Sequence, residues 1–156
     1  MENRLSKIFI IGIGNDYRRD DAAGRIVARN LKKQMPPGTE IFEETGEGTA
    51  LLEAWRGAGD VFLIDAVQSG APPGTIQRID VSTQPLPASL FRHSTHAFGI
   101  AEAVELARVL HQLPPRLIIY GIEGERFDAG VGLSPAVEKA VAEVEARLRE
   151  EILKKG

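Results

Sequence analysis

Uninterrupted apolar segments along the chain predict the strands of a buried sheet. Three of them, Lys7–Ile13, Val61–Ala66 and Leu117–Ile122, are rich in β-branched and other large apolar side chains. Runs of this kind are typical of strands that are covered on both faces, as in a parallel sheet. Thr39–Glu44 predicts a further strand, and Thr75–Val81 alternates imperfectly between apolar and polar residues, which favours an edge strand.

Between these segments, apolar residues recur at helical spacing and predict four helices. The first runs from about Asp21 to Lys33. The others begin at Gly48 or Thr49, at Thr95 to Ala97, and at Ser134-Pro135. Serine is a favoured N-cap and proline fits the first helical position, so the last of these starts is the most sharply defined.

Strands that alternate with helices indicate an α/β fold. We expect residues 1–156 to form a single three-layer domain, with a mostly parallel twisted sheet of about five strands and helices on both faces. Because crossovers between parallel strands are right-handed, the loops that follow these strands lie at one edge of the sheet. Ligands in α/β proteins bind at that edge.

Three polar residues are predicted to meet at this edge. Asp21 follows the first strand after a turn at Gly12 and Gly14, Asp65 lies near the end of the third strand, and His96 opens the helix after the edge strand. Two carboxylates and an imidazole are a plausible ligand set for nickel, zinc, manganese or iron.

Each of these residues also has a structural interpretation. Asp20 and Asp21 are placed to cap a helix, and Gly24 leaves the helix surface beside them bare. Asp65 lies among apolar residues and needs a cation or several hydrogen-bond donors. His96 has the alternative role of a capping or loop residue, whereas His93 and His111 have no acid in a matching position.

Other chemistries match the sequence less well. A dinucleotide fingerprint requires a third glycine where Tyr17 stands, and the chain has neither a phosphate loop ending in Gly-Lys-Ser/Thr nor a G-x-S-x-G nucleophile motif. Ser94 is too close in sequence to His96 for the usual triad arrangement.

Composition and charge restrict the kinds of site, partner and location that the protein can have. The chain has 156 residues, a net charge of −3 and no cysteine, which excludes disulfides, thiolate metal sites and a cysteine nucleophile. The negative charge argues against a broad nucleic-acid surface. The apolar run after the polar N-terminal residues is too short for a signal sequence or a membrane span. We therefore expect a cytoplasmic protein with no nucleic-acid or membrane partner.

The ordered motifs resemble those of the hydrogenase maturation endopeptidases, the proteases that trim the C-terminus of the large subunit of nickel–iron hydrogenases. The resemblance spans nearly the whole chain. It rests on GIGN followed by RDDAAG, TGEGT, LIDAV, PPGTI, STH and GIEGERFDAGVGLSPAVEKAV, in the segments 12–24, 45–49, 63–67, 72–76, 94–96 and 121–141.

The resemblance implies that Asp21, Asp65 and His96 are the family's metal-contacting and catalytic residues. It further implies that the nickel is carried by the hydrogenase large-subunit precursor rather than held as a resident cofactor, and that a monomer meets this precursor transiently. A metal-polarised water and an acid-activated water both remain possible as the attacking group. Two alternatives from other classes are a non-catalytic nickel- or partner-binding chaperone and a Rossmann-type nucleotide enzyme.

Overall fold

A computed structural model describes residues 7–87, 89–91 and 96–155 as a single α/β domain. The strands of its sheet are β1 (Ile8–Ile13), β2 (Thr39–Glu44), β3 (Asp60–Val67), β4 (Ile76–Asp80) and β5 (Arg116–Glu123). The helices are α1 (Ala23–Leu31), α2 (Gly48–Ala54), α3 (Ile100–Val109) and α4 (Pro135–Lys155). Every predicted strand is confirmed to within one residue at each end.

The five strands form one sheet in the order β2-β1-β3-β5-β4. Neighbouring strands are parallel except β4, which pairs antiparallel with β5 at the edge of the sheet. This arrangement confirms the mostly parallel sheet and the edge position of β4. Both edge strands, β2 and β4, are less buried than the three central ones, since an edge strand need not be covered on both faces.

Helices cover both faces of the sheet, so the predicted three layers are confirmed. Alternate residues of β1 point to opposite sides: Phe9 and Ile11 pack with residues of α2 and α3, whereas Ile10 packs with residues of α1 and α4. The uninterrupted apolar pattern of the central strands therefore supplies two hydrophobic cores at once.

The chain reverses its direction across the sheet at β1 and β3. From β1 it crosses through α1 to β2 on one side, and from β3 it continues to the other side. Diverging connections leave a crevice at the carboxyl ends of the two central strands, which is where open α/β sheets bind ligands.

Helix α4 begins at Pro135 as predicted, but α1 and α3 begin later than predicted and the cap of α2 is a different residue. A 3-10 turn at Arg19–Ala22 precedes α1, so the acids at its predicted start lie outside the α-helix. The side chain of Glu47, rather than Gly48 or Thr49, caps α2 by accepting hydrogen bonds from two backbone N–H groups. Helix α3 begins only at Ile100.

The late start of α3 corrects the placement of His96. Gly99 is the N-cap, and its N–H donates to the Glu102 carboxylate at 2.9 Å, which fixes the first turn. His96 therefore lies in the preceding loop and does not open the helix. Of the residues before it, Ser94 and His93 lie outside the described residues.

Helix α1 touches the sheet at Gly24. A Cβ atom at this position would lie 2.1 Å from the carbonyl oxygen of Ile64 in β3 and 2.6 Å from that of Ile13 in β1. The bare helix surface predicted at Gly24 is thus confirmed, and what approaches it is the backbone of the two central strands. Within the described residues, no helix combines the length and the apolarity needed to cross a membrane.

We expect Gly24→Ala to lower the free energy of unfolding by about 3 kcal/mol or more, since rigid backbone must move to admit the methyl group. Gly38→Ala is a control, because its φ of +96° is strained for alanine but its surroundings are open. That variant should cost only about 1 kcal/mol. Equal losses in urea denaturation of the two variants would contradict the close contact at Gly24.

Candidate active site

A cleft of about 500 Å³ opens at the carboxyl ends of the central strands. Its walls come from the segment that follows β1, the turn after β2, the end of β3 and the loop before α3. Asp21, Asp65 and His96 all line it. The structure thus brings the three predicted site residues to one cleft, although they are 44 and 31 residues apart in sequence.

Asp65 is partly buried at the end of β3, with little to stabilise its charge. Its Oδ1 accepts a hydrogen bond from the N–H of Ala66 at 2.8 Å. Burial, and secondly the negative charge of Asp21, raise the pKa of Asp65 well above its ordinary value. The two carboxylates therefore lie close enough in a poorly solvated cleft to oppose each other's ionisation.

Asp21 is also partly buried, but it has more support. Its Oδ2 accepts a hydrogen bond from the N–H of Asn15 at 3.0 Å. Burial raises the pKa of Asp21, and this effect outweighs the opposing influence of the Arg18 charge, of that hydrogen bond and of His96. Since both acids hold raised pKa values, the cleft favours either a proton or a cation between them.

His96 is held by the turn that follows β2. Its Nε2 lies 3.0 Å from the backbone oxygen of Thr45. A carbonyl oxygen only accepts hydrogen bonds, so this contact assigns the ring proton to Nε2. In the neutral imidazole the lone pair that can bind a metal is then on Nδ1.

The three side chains share the cleft without forming a preassembled metal site. Across residues 7–87, 89–91 and 96–155, no three His, Cys, Asp or Glu side chains are grouped so that they could hold one ion. Their donor types suit a divalent transition metal, but each is engaged with nearby backbone, as described above. Joint binding of an ion therefore requires some of these side chains to move.

Asp20, next to Asp21 in sequence, has a different environment. It is fully buried and accepts four hydrogen bonds: from the N–H groups of Glu125 and Arg126, both at 2.8 Å, and from Ser134 through its N–H at 2.7 Å and its hydroxyl at 2.8 Å. These donors belong to the loop between β5 and α4, which Asp20 therefore fastens to the segment after β1.

The prediction that the two acids cap the helix that follows them is wrong. Neither acid caps the 3-10 turn or α1. Asp20 instead bonds to Ser134, which directly precedes α4, and so places a negative charge at the N-terminus of a helix more than 100 residues away in sequence. The sequence contains no signal for this contact, because it depends on which loops the sheet brings together.

Several residues of the cleft were not singled out from the sequence. Arg18 lines it, donates from Nε to the backbone oxygen of Phe127 at 3.1 Å, and is the nearest stabilising charge for Asp21. Tyr17 and Phe127 also line the cleft. The only signal for them is proximity in sequence to predicted site residues or motifs.

Comparisons with known proteins identify the family of the chain. A sequence profile described as hydrogenase maturation protease matches residues 26–151. The chain belongs to the hydrogenase maturation protease family. It is 29% identical over 153 residues to the hydrogenase 2 maturation protease of Escherichia coli, covering 92% of each chain. It is 28% identical to the hydrogenase expression/formation protein HupD of Thiocapsa roseopersicina, but spans only 62% of the length of that protein.

Solved structures of the family share the fold. The hydrogenase maturating endopeptidase HybD of E. coli superposes with a TM-score of 0.82 at 23% identity, over 96% of this chain and 94% of its own. An endopeptidase from E. coli superposes with a TM-score of 0.77 at 27% identity, over 93% of each chain. Membership of this peptidase family, rather than of a nucleotide-binding one, decides against the Rossmann-type enzyme.

We expect Asp20→Asn to lower the free energy of unfolding at pH 7 by about 3 kcal/mol, because an amide nitrogen would face buried donors that now bind a carboxylate. Burial raises the pKa of Asp20, but its hydrogen bonds outweigh burial and the net pKa is lowered from 3.8. Its contribution is therefore complete above pH 3.8 and disappears as the pH falls through the lowered pKa.

Asp128→Asn is the matched control for Asp20→Asn. Asp128 lies on the same loop and pairs with Arg19 and Arg126, but its side chain is 53% exposed. Exposed pairs contribute little, so we expect a much smaller loss than for Asp20→Asn. Equal losses for the two variants in denaturant titrations at pH 7 would show that Asp20 does not fasten the loop.

We expect Asp65→Asn to be more stable than the parent protein at pH 7, by about 1 kcal/mol. The raised pKa of Asp65 means that its ionisation opposes folding, and this penalty grows as the pH rises above the ordinary value of 3.8. An amide oxygen still accepts the Ala66 N–H. Denaturation at pH 7 and below pH 4 tests this: the gain should vanish at the lower pH, and a loss at pH 7 would contradict it.

Proposed function

We propose that this protein removes the C-terminal extension from the nickel-loaded precursor of a nickel–iron hydrogenase large subunit. The observation that carries the proposal is that two carboxylates, Asp21 and Asp65, line one cleft with His96, where the charge of Asp21 opposes the ionisation of Asp65. Family membership supports the peptidase class. The choice of nickel rests on the family resemblance, and the donor set, which suits several divalent metals, is compatible with it.

In this proposal the nickel arrives with the precursor and serves as part of the substrate. A divalent cation near Asp21 and Asp65 relieves their mutual repulsion, so the free cleft is electrostatically prepared for such an ion. His96 adds an imidazole nitrogen, with Nδ1 as the donor while Nε2 bonds to Thr45. Binding through these groups would position the neighbouring peptide bond at the acids.

Hydrolysis needs an activated water, since the chain has no cysteine to act as nucleophile. The water oxygen attacks the peptide carbonyl carbon and its proton passes to a carboxylate. The C–N bond then breaks as the leaving amine takes up a proton. Two adjacent acids with raised pKa values suit this exchange, because one can be ionised while the other holds a proton. Polarisation of the water by the substrate's nickel is the other route.

Two further inferences concern the oligomeric state and the cellular location of the protein. We infer that the protein acts as a monomer that meets the precursor transiently, and that it acts in the cytoplasm. The absence of cysteine is compatible with a reducing compartment.

We expect Asp21→Asn, Asp65→Asn and His96→Ala each to lower the cleavage rate of the nickel-loaded precursor at least about 100-fold while leaving the protein folded. His111→Ala is the control, because His111 is exposed just beyond the end of α3. The rate is measured by gel shift of the large subunit, and circular dichroism checks the fold. Normal processing by the His96 variant would remove that residue from the mechanism.

Mass spectrometry of the same mixtures separates a protease from a chaperone. A protease releases a C-terminal peptide from the nickel-loaded precursor and leaves the nickel-free precursor intact. A chaperone on this fold would bind the precursor and release no peptide. Tight binding without a released peptide from the unmodified protein would therefore overturn the proposed function.

A further inference from the structure

Two large hydrophobic side chains are exposed on chain segments beside the cleft. Tyr17 is 73% exposed and itself lines the cleft, and Val131 is 74% exposed on the loop between β5 and α4. The exposed fraction of both side chains is far larger than that of residues that help to form a core. Neither is explained by the ligand set or by the packing of the fold.

The two side chains stand on chain segments that are joined to each other. The N–H of Gly130 donates to the oxygen of Tyr17 at 2.9 Å, and the N–H of Arg19 donates to the oxygen of Gly130 at 3.0 Å. Arg18 and Gly130 thus form an isolated parallel bridge. Because Val131 directly follows Gly130, Tyr17 and Val131 belong to one surface beside the cleft, which we term the apolar rim.

The apolar rim is held firmly from below. Asp20 fastens its two segments through four hydrogen bonds, as described above, and Arg19 reaches the Asp128 carboxylate at 3.2 Å. Gly130 makes room for this contact, since a Cβ there would lie 2.6 Å from the Arg19 guanidinium carbon. The backbone at Tyr17 is also fixed, as its N–H donates to the Asn15 side chain at 2.9 Å.

Other exposed hydrophobic residues do not share this position. Val109, which is 71% exposed, ends the 10-residue helix α3, whose first residue, Ile100, lines the cleft. Val109 therefore lies about 14 Å along the helix axis from that wall. Leu106 and Leu110 are exposed next to Val109, so a second apolar group lies near the end of α3 and away from the cleft. The apolar rim differs from that group in standing on hydrogen-bonded segments beside the cleft.

We propose that the apolar rim of Tyr17 and Val131 binds apolar side chains of the precursor next to the scissile bond and so determines which polypeptide is cut. This inference rests on the proposed function. Tyr17 lines the same cleft as Asp21 and Asp65, so a polypeptide bound at the acids can extend onto the rim. Tyrosine also gives a large contact area at a small entropic cost.

The rim supplies recognition and takes no part in bond cleavage. A phenol and an isopropyl group offer neither the carboxylate nor the imidazole that the proposed hydrolysis uses, and Asp21 and Asp65 are partly buried whereas the rim is exposed. Contacts made equally in the ground state and the transition state change KM without changing kcat. Substitutions in the apolar rim should therefore change KM and leave kcat unchanged.

The test compares Val131→Asp with Val109→Asp, a matched pair of equally exposed valines, and adds Tyr17→Ala. We expect Val131→Asp and Tyr17→Ala each to raise KM for the nickel-loaded precursor about tenfold, the equivalent of 1.4 kcal/mol, with kcat unchanged. Val109→Asp should match the parent protein. Thermal unfolding of all variants checks that the fold is kept.

Each other outcome overturns the inference. If the parent protein cuts the precursor and both rim variants keep its KM, the apolar rim does not bind the precursor, while the proposed function stands. If kcat falls instead of KM rising, the rim acts on the chemistry and not on recognition. If the parent is a dimer by size-exclusion chromatography and Val131→Asp makes it monomeric, the rim is an interface between copies. A parent that cuts no precursor removes both proposals.

Discussion

One buried carboxylate organises the cleft. Asp20 has its charge satisfied by the backbone of a loop that follows the last strand, and it thereby joins the first and last βα connections of the sheet. Phe127 and Leu133 also pack that loop against one of the two cores. The contacts of Phe127 with Arg18, and of Gly130 with Tyr17, join the same two segments.

The charge of Asp21, the adjacent acid, is destabilised in the folded protein, whereas that of Asp20 is stabilised. This contrast makes the cleft suited to catalysis. Asp20 gains enough donors to remain ionised, whereas Asp21 and Asp65 lose water without gaining equivalent partners. A folded protein keeps such a destabilising pair only where other interactions offset it. Here the close packing of α1 on the central strands at Gly24 fixes the crevice in which the pair lies.

The fold was predictable because its signals are local and repeated. The sheet was predicted from three apolar segments, from the helical spacing in the stretches between them and from the alternation of strands with helices. Right-handed crossovers then placed Asp21 and Asp65 at one edge of the sheet. The start of α3 was not predictable with the same accuracy. A glycine N-cap fixed by Glu102 outweighed the earlier apolar spacing, so His96 reaches the cleft from a loop held at Thr45.

The different roles of Asp20 and Asp21 lay beyond sequence reasoning for a physical reason. Both are aspartates on one short turn, and their intrinsic pKa values are equal. The difference arises from how many backbone N–H groups each meets, and most of those groups come from residues 125–134, which only the sheet order brings near. Sequence patterns locate a candidate site where charges collect, but the number of donors around each charge decides which one is structural and which one is available to a substrate.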